Sequence, residues 1–156
     1  MTSLPANGTR LCFDVGVARV GVAKCGADQI MAIPVETLNV TDNLVETVST
    51  LIKNDPIGAI YVGLPLNLKG ESTPSTELAI EFAQNLSKCL IEEGVDIPLR
   101  LVDERFSTTI ASRNLKSVGR SVRSGRLIID QAAAVEILNY ALAVEKRESS
   151  LAGTEI

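Results

Sequence analysis

Short apolar runs alternate along this chain with longer stretches whose apolar residues recur at helical spacing, and that alternation confines the fold to strands and helices around a shared core. Arg10–Val17 and Val20–Cys25 are two β-rich runs joined through Gly16–Arg19. A third lies near Ile30–Leu38, after Gly26-Ala27-Asp28, so the three read as an antiparallel meander. Thr41-Asp42 can then cap a helix with Leu44, Val48, Leu51 and Ile52 on one face, stopped by Asn54-Asp55-Pro56. Ile57–Gly63 is a brief, continuously apolar run, the mark of a strand buried on both faces. Pro74 opens a second helix with Leu78, Phe82, Leu86 and Leu90 inward, ending before Gly94. The run Pro98–Val102 is the fifth strand. A helix from about Ser107 follows, with Ala111, Leu115 and Val118 inward and Gly119 at its end. Asp130–Arg147 is the last helix, with Ala134, Leu138 and Ala141 inward.

The order β-β-β-α-β-α-β-α-α places the chain in the α/β class. It predicts one mixed five-stranded sheet, an antiparallel three-strand meander plus two parallel strands, with helices on both faces. A chain of 156 residues suffices for one domain. Residues 1–9 and 149–156 are polar, small and aperiodic and read as flexible tails around a single domain over 10–148. No apolar leader and no run of about 18 apolar residues is visible, which predicts a soluble, cytoplasmic protein without membrane contact.

Composition narrows the chemistry. The chain has no histidine, which excludes Ser-His-Asp triads, Cys-His dyads and His-ligated zinc. Cys12, Cys25 and Cys89 are widely spaced, without a Cys-x-x-Cys pair, and read as core residues of a reducing compartment rather than a disulfide or metal framework. Catalysis is left to carboxylates, Lys, Arg, hydroxyls or Cys.

Three acids interrupt apolar pattern. Asp14 stands in Leu11-Cys12-Phe13-Asp14-Val15-Gly16, where an unpaired carboxylate is costly to bury. A bond to the backbone near Gly16 is one compensation. Asp103-Glu104-Arg105 follows the fifth strand, at the carboxyl end where ligands gather; an ion pair with Arg105 is the plainer alternative. Asp130 follows Leu127-Ile128-Ile129 and could simply cap the last helix. Taken together, three acids at element ends can converge on one sheet edge. Carboxylates without His or Cys suit a hard cation, Mg²⁺ or Mn²⁺, of the sort that assists phosphodiester cleavage.

Charge is also unevenly distributed. Arg105, Arg113, Lys116, Arg120, Arg123 and Arg126 are six bases with no acid among them over residues 105–129. The other nine bases and all nineteen acids lie outside, so a +6 segment adjoins a −10 remainder. Such a segment between two proposed ligands is where a nucleic-acid backbone would be neutralised, its alternative being a solvated face. Gly63-Leu64-Pro65-Leu66-Asn67-Leu68-Lys69-Gly70 makes a tight exit from the central strand, from which Asn67 and Lys69 could meet phosphate. Aromatic residues are 3% of the chain, too few for a base-stacking platform.

Four segments together resemble the YqgF family, also called RuvX or the pre-16S rRNA nuclease family, within the RNase H-like, Holliday-junction-resolvase-like fold. They are Phe13-Asp14-Val15-Gly16 with Arg19-Val20-Gly21-Val22-Ala23, then Val62-Gly63-Leu64-Pro65-Leu66 with Gly70, then Val102-Asp103-Glu104-Arg105-Phe106-Ser107-Thr108, and Ile129-Asp130-Gln131-Ala132-Ala133-Ala134. The resemblance spans roughly residues 10–145. It implies a divalent-metal-dependent nuclease acting in 5′-end maturation of 16S rRNA, with Asp14, Glu104 and Asp130 as catalytic and metal-binding acids. Lys69, Arg105, Arg113, Lys116, Arg120, Arg123 and Arg126 would meet nucleic acid, pre-rRNA or branched DNA. The ribosome or its precursors would be partners of a monomer or weak homodimer. Junction resolvases of the superfamily carry a second acid at the end of the central strand, here Gly63, and often a further acid in the last helix, here Ala133. Asp103 could replace or assist Glu104, and one-metal and two-metal chemistry both stay open. A junction-resolving DNA endonuclease, a noncatalytic RNA-binding assembly factor and an actin-like ATPase are the competing expectations; the last needs two lobes, and this chain supplies one.

Overall fold

The computed structural model describes residues 4–106 and 122–156, with side chains over 4–105 and 131–156. The strands are β1 (Arg10–Val15), β2 (Arg19–Cys25), β3 (Ala32–Asn39), β4 (Ala59–Leu64), β5 (Leu99–Asp103) and β6 (Thr154–Glu155). The helices are α1 (Leu44–Asn54), α2 (Pro74–Glu92) and α3 (Val122–Glu148), with a single 3₁₀ turn, Glu104–Phe106, after β5. One sheet runs in the order β3-β2-β1-β4-β5-β6. The β1–β2 and β2–β3 pairs are antiparallel, as the meander requires, and β1, β4 and β5 are mutually parallel.

Strand alternation builds two cores. Leu11, Phe13, Ile60 and Val62 face α1 and α2, meeting Val48, Ile52, Phe82, Leu86 and Leu90. Cys12, Tyr61 and Val102 face α3, meeting Ala134, Ile137, Leu138 and Ala141. Helices therefore cover both faces. Thr73 caps α2 through reciprocal bonds with Thr76, and Pro74 takes the first turn, where its missing N–H costs nothing. The first helix departs from expectation at its start. Asn43 holds the N-cap position without a side-chain bond, and Thr41-Asp42 lie in the turn before it.

The sheet has six strands, not five, and the extra one comes from a segment the sequence marks as a tail. In residues 149–156, β6 pairs antiparallel with β5, and Leu151 and Ala152 are buried. Arg100 Nε donates to the Ala152 carbonyl at 2.9 Å. Two paired residues carry no periodicity, so nothing local announces such a strand. The other end is also held from Asn7 onward, since Gly58 N donates to Thr9 O at 2.8 Å and Arg10 Nη1 to Asn7 O at 2.7 Å.

Both ends meet in a buried polar clasp. Arg10, fully buried, pairs with Glu145 of α3 at 2.7 Å, and Tyr61 Oη donates to the same carboxylate at 2.8 Å. The Ala152 amide donates to Tyr61 Oη at 3.1 Å. Burial pushes the Tyr61 phenol well above its usual range.

The last helix already includes Val122, where the described residues resume, eight residues before the predicted start at Asp130. Ser124-Gly125 reads locally as a break, but a single glycine costs a helix only about 1 kcal/mol, which the flanking Arg, Leu and Ile tolerate. Asp130 is thus inside the helix, and the capping alternative is removed. The helix expected from about Ser107 lies outside the described residues.

Candidate active site

Parallel β1, β4 and β5 bring their carboxyl ends to one edge of the sheet. Side chains alternate, so Asp14 shares the α3 face with Cys12, and Gly63 shares it with Tyr61. Val102 pairs with Gly63 and faces α3 as well. Two residues on, Glu104 opens the 3₁₀ turn and projects inward over Gly63.

Asp14 and Glu104 are hydrogen-bonded to each other through their carboxyls. Burial, then the charge of Asp14 and the shared hydrogen bond, then the charge of Asp103, push Glu104 up to about 8. Two carboxylates this close cannot both ionise cheaply, so the pair holds a proton at neutral pH. The effect reaches the residue beneath. Burial, followed by the charges of Asp14 and Glu104, raises the Cys12 thiol well above its ordinary value.

Asp103 and Glu104 part at the strand end. Asp103 accepts from the Arg105 backbone N–H at 2.9 Å and from its guanidinium, with Nη2 at 2.6 Å. Those bonds hold the Asp103 carboxyl below its usual range. The ion-pair alternative therefore describes Asp103, whereas Glu104 turns to Asp14. Arg105 is fixed on its other side too. A Cβ at Gly70 would come within 2.9 Å of Arg105 Nη1, so the guanidinium rests against the bare backbone of the turn after β4, where Gly70 has φ +80°.

That turn is closed by Asn67. Its Oδ1 accepts the backbone N–H groups of Lys69 and Glu71, each at 2.9 Å, and its carbonyl accepts from Gly70 N at 2.9 Å. Asn67 thus spends its side-chain oxygen on the loop, while its Nδ2 donates to Glu71 Oε2 at 3.4 Å on the exposed side. Lys69 is exposed at the tip beside Arg105's resting place.

Position 130 lies four residues before Ala134, seven before Ile137 and eleven before Ala141, three residues buried against the sheet. Helical spacing puts it on the same stripe, one turn toward the helix N-terminus. Ile137 Cδ1 approaches Gly63 close to the Glu104 carboxyl, so the stripe passes over the acid pair. Gln131 Nε2 donates to Thr37 Oγ1 of β3 at 3.1 Å, which fixes this part of α3 on the sheet. Among the described residues no group of three or more His, Cys, Asp or Glu side chains forms; the side chain of Asp130 lies outside them. Arg113, Lys116 and Arg120 lie outside the described residues, and Arg123 and Arg126 are placed only as backbone in the first turns of α3.

By resemblance, Gly63 stands where junction resolvases carry their second acid. The space there is filled by Glu104, from the 3₁₀ turn just past the neighbouring strand. The signal was a glycine ending an otherwise β-rich run, with a Glu two residues past its lateral partner. Ala133, where resolvases often add an acid, is buried.

The RuvX family model, described as Holliday junction resolvase, matches residues 8–144. The chain belongs to the RuvX family. Among its relatives, the RuvX chain is 43% identical over 148 residues to a Corynebacterium jeikeium protein named "Putative pre-16S rRNA nuclease", covering 94% of this chain and 93% of that one. A Streptomyces coelicolor protein of the same name is 43% identical over 146 residues, covering 90% and 83%. The fold is similar to Thermus thermophilus RuvC in complex with a Holliday junction substrate, with TM-score 0.58, 11% identity, and 92% and 98% of the two chains covered. That likeness establishes the RNase H-like fold of this RuvX member. No described helix is long and apolar enough to cross a membrane.

Proposed function

We propose that this RuvX protein is a divalent-cation-dependent nuclease that hydrolyses phosphodiester bonds of the 16S rRNA precursor during 5′-end maturation. The observation that carries the reading is the Asp14–Glu104 carboxyl pair at the carboxyl ends of parallel strands, in a chain so similar to proteins carrying that nuclease name. Their oxygens suit Mg²⁺ or Mn²⁺, and the shared proton marks a pair of negative groups that a cation would relieve. Asp14, Glu104 and Asp130 would hold it. When bound, such a cation lowers the pKa of water and stabilises the leaving oxygen.

The remaining work falls to the chain's own side chains. Asp14, on β1, and Glu104, in the turn just past β5, would offer their carboxylate oxygens to the cation, the proton they share leaving to solvent water. Arg105, clamped between Asp103 and Gly70, offers an oriented guanidinium to a phosphate, and Lys69 adds a mobile charge beside it. Arg113, Lys116, Arg120, Arg123 and Arg126 neutralise the backbone further along, giving salt-sensitive binding. The reading places the protein in the cytoplasm, acting on ribosomal precursors as a monomer or weak homodimer.

A junction-resolving activity is the second reading, favoured by the family's description. Cleavage of a 16S precursor and of a four-way DNA junction, each with Mn²⁺, separates the two. Folded Asp14→Asn and Asp130→Asn variants should both lose precursor cleavage. Undiminished precursor cleavage in both would remove Asp14 and Asp130 from the site, no cleavage of either substrate by the wild type would remove the nuclease reading, and cleavage of the junction alone would select the second.

A further inference from the structure

The α3-facing positions at the ends of the parallel strands run from Asp14 on β1, through Gly63 on β4, to Glu104 just past β5. Strands lie ~4.8 Å apart, so the two acids start from backbones separated by about 10 Å with β4 between them. Their carboxyls nevertheless meet. The space they use is the one a side chain at position 63 would fill.

A Cβ on Gly63 would lie 2.4 Å from Glu104 Oε1, 3.1 Å from Glu104 Cδ and 2.8 Å from Ile137 Cδ1. The backbone itself does not demand glycine. Among the described residues the left-handed glycines are Gly70, Gly94 and Gly153, and Gly63 is not one of them. Alanine would fit the local conformation, and only the atoms crossing above it would object.

We propose that Gly63 is a positioning residue of the cation site, its bare Cα leaving the passage by which Glu104 crosses the end of β4 to reach Asp14. The inference rests on the proposed reading of Asp14 and Glu104 as cation ligands. A side chain at 63 would force the inward Glu104 carboxyl to shift, so this chain supplies its second acid from beyond β5. The length of Glu follows as well, because the carboxyl must span a strand that contributes nothing.

The two clashes are separable. Replacing Ile137 by Val removes the Cδ1 atom that the new Cβ meets and leaves the contact with Glu104 intact. The experiment compares the wild-type chain with Gly63→Ala, Ile137→Val and the double variant, using thermal unfolding in EDTA, calorimetric titration with Mn²⁺, and a crystal structure of the double variant.

Ile137→Val alone should bind Mn²⁺ as the wild type does, and Gly63→Ala should lose both stability and affinity. The double variant should recover much of the lost stability while binding Mn²⁺ at least about tenfold more weakly, with the Glu104 carboxyl displaced from Asp14. Wild-type affinity in the double variant would show that Gly63 serves packing alone and would overturn the proposal. So would a Glu104 carboxyl still hydrogen-bonded to Asp14 in its crystal structure, whatever the wild type does with Mn²⁺. If the wild type binds no Mn²⁺, the cation-centre reading fails, and the crystal structure alone decides the part played by Gly63.

Discussion

Replacing Glu104 by Gln should stabilise the metal-free protein above neutral pH. In the unfolded chain the Glu104 carboxyl ionises near its ordinary value, 4.5, whereas in the fold it keeps its proton to about 8. Between those values the folded state binds more protons than the unfolded state, so stability falls as pH rises and levels off above 8. At ~1.4 kcal/mol per pK unit, the whole shift is a loss on the order of 5 kcal/mol. For a domain of this size that is about 10–20 °C in melting temperature. Gln removes the titration, and its amide can still donate to the Asp14 carboxylate as the protonated acid does. Thermal unfolding in EDTA from pH 4.5 to 9 reads the difference directly. The variant's curve should lack most of the decline and cross above the wild type as pH rises. Parallel curves for the two proteins would show that Glu104 is not held protonated by burial and Asp14, and the reasoning would fail.

Three further outcomes follow from the same geometry. Mn²⁺ at about a hundred times its dissociation constant should stabilise the wild type by about 3 kcal/mol in thermal melts, through mass action on the folded state, and Asp14→Asn should abolish the shift. In the clasp, Glu145→Gln should cost about 3–5 kcal/mol in urea unfolding by stranding the buried Arg10 charge, and a double Arg10→Met, Glu145→Leu variant should lose far less. Deleting residues 151–156 should cost about 2–3 kcal/mol from Leu151 burial alone, and should accelerate proteolysis beside β5.

The regular elements were legible because their signals are local. β-rich runs broken by turn residues marked the meander, and Pro74 with the Phe82, Leu86 and Leu90 stripe marked α2. Elements held by distant partners were not. β6 exists through its pairing with β5 and the clasp at Tyr61, and the early start of α3 overrides a Ser-Gly pair that reads as a break. In the site, each acid stood out for being polar in an apolar setting. Which of Asp103 and Glu104 turns inward was not readable, since it depends on Arg105 and Gly70 claiming Asp103 and on Gly63 admitting Glu104. Nothing local pairs Arg10 with Glu145, because their partnership spans nearly the whole chain.

The crossing of Glu104 over β4 also bears on when the site comes into being. Asp14 lies on the first strand and Glu104 beyond the fifth, and β4 must already be docked between them before their carboxyls can meet. Both parallel crossovers, each closing a long loop, have to form first, and such nonlocal closures are the slow events of folding. With only the meander and α1 in place, Asp14 would have no Glu104 to meet. The acid pair is therefore an all-or-none property of the finished topology.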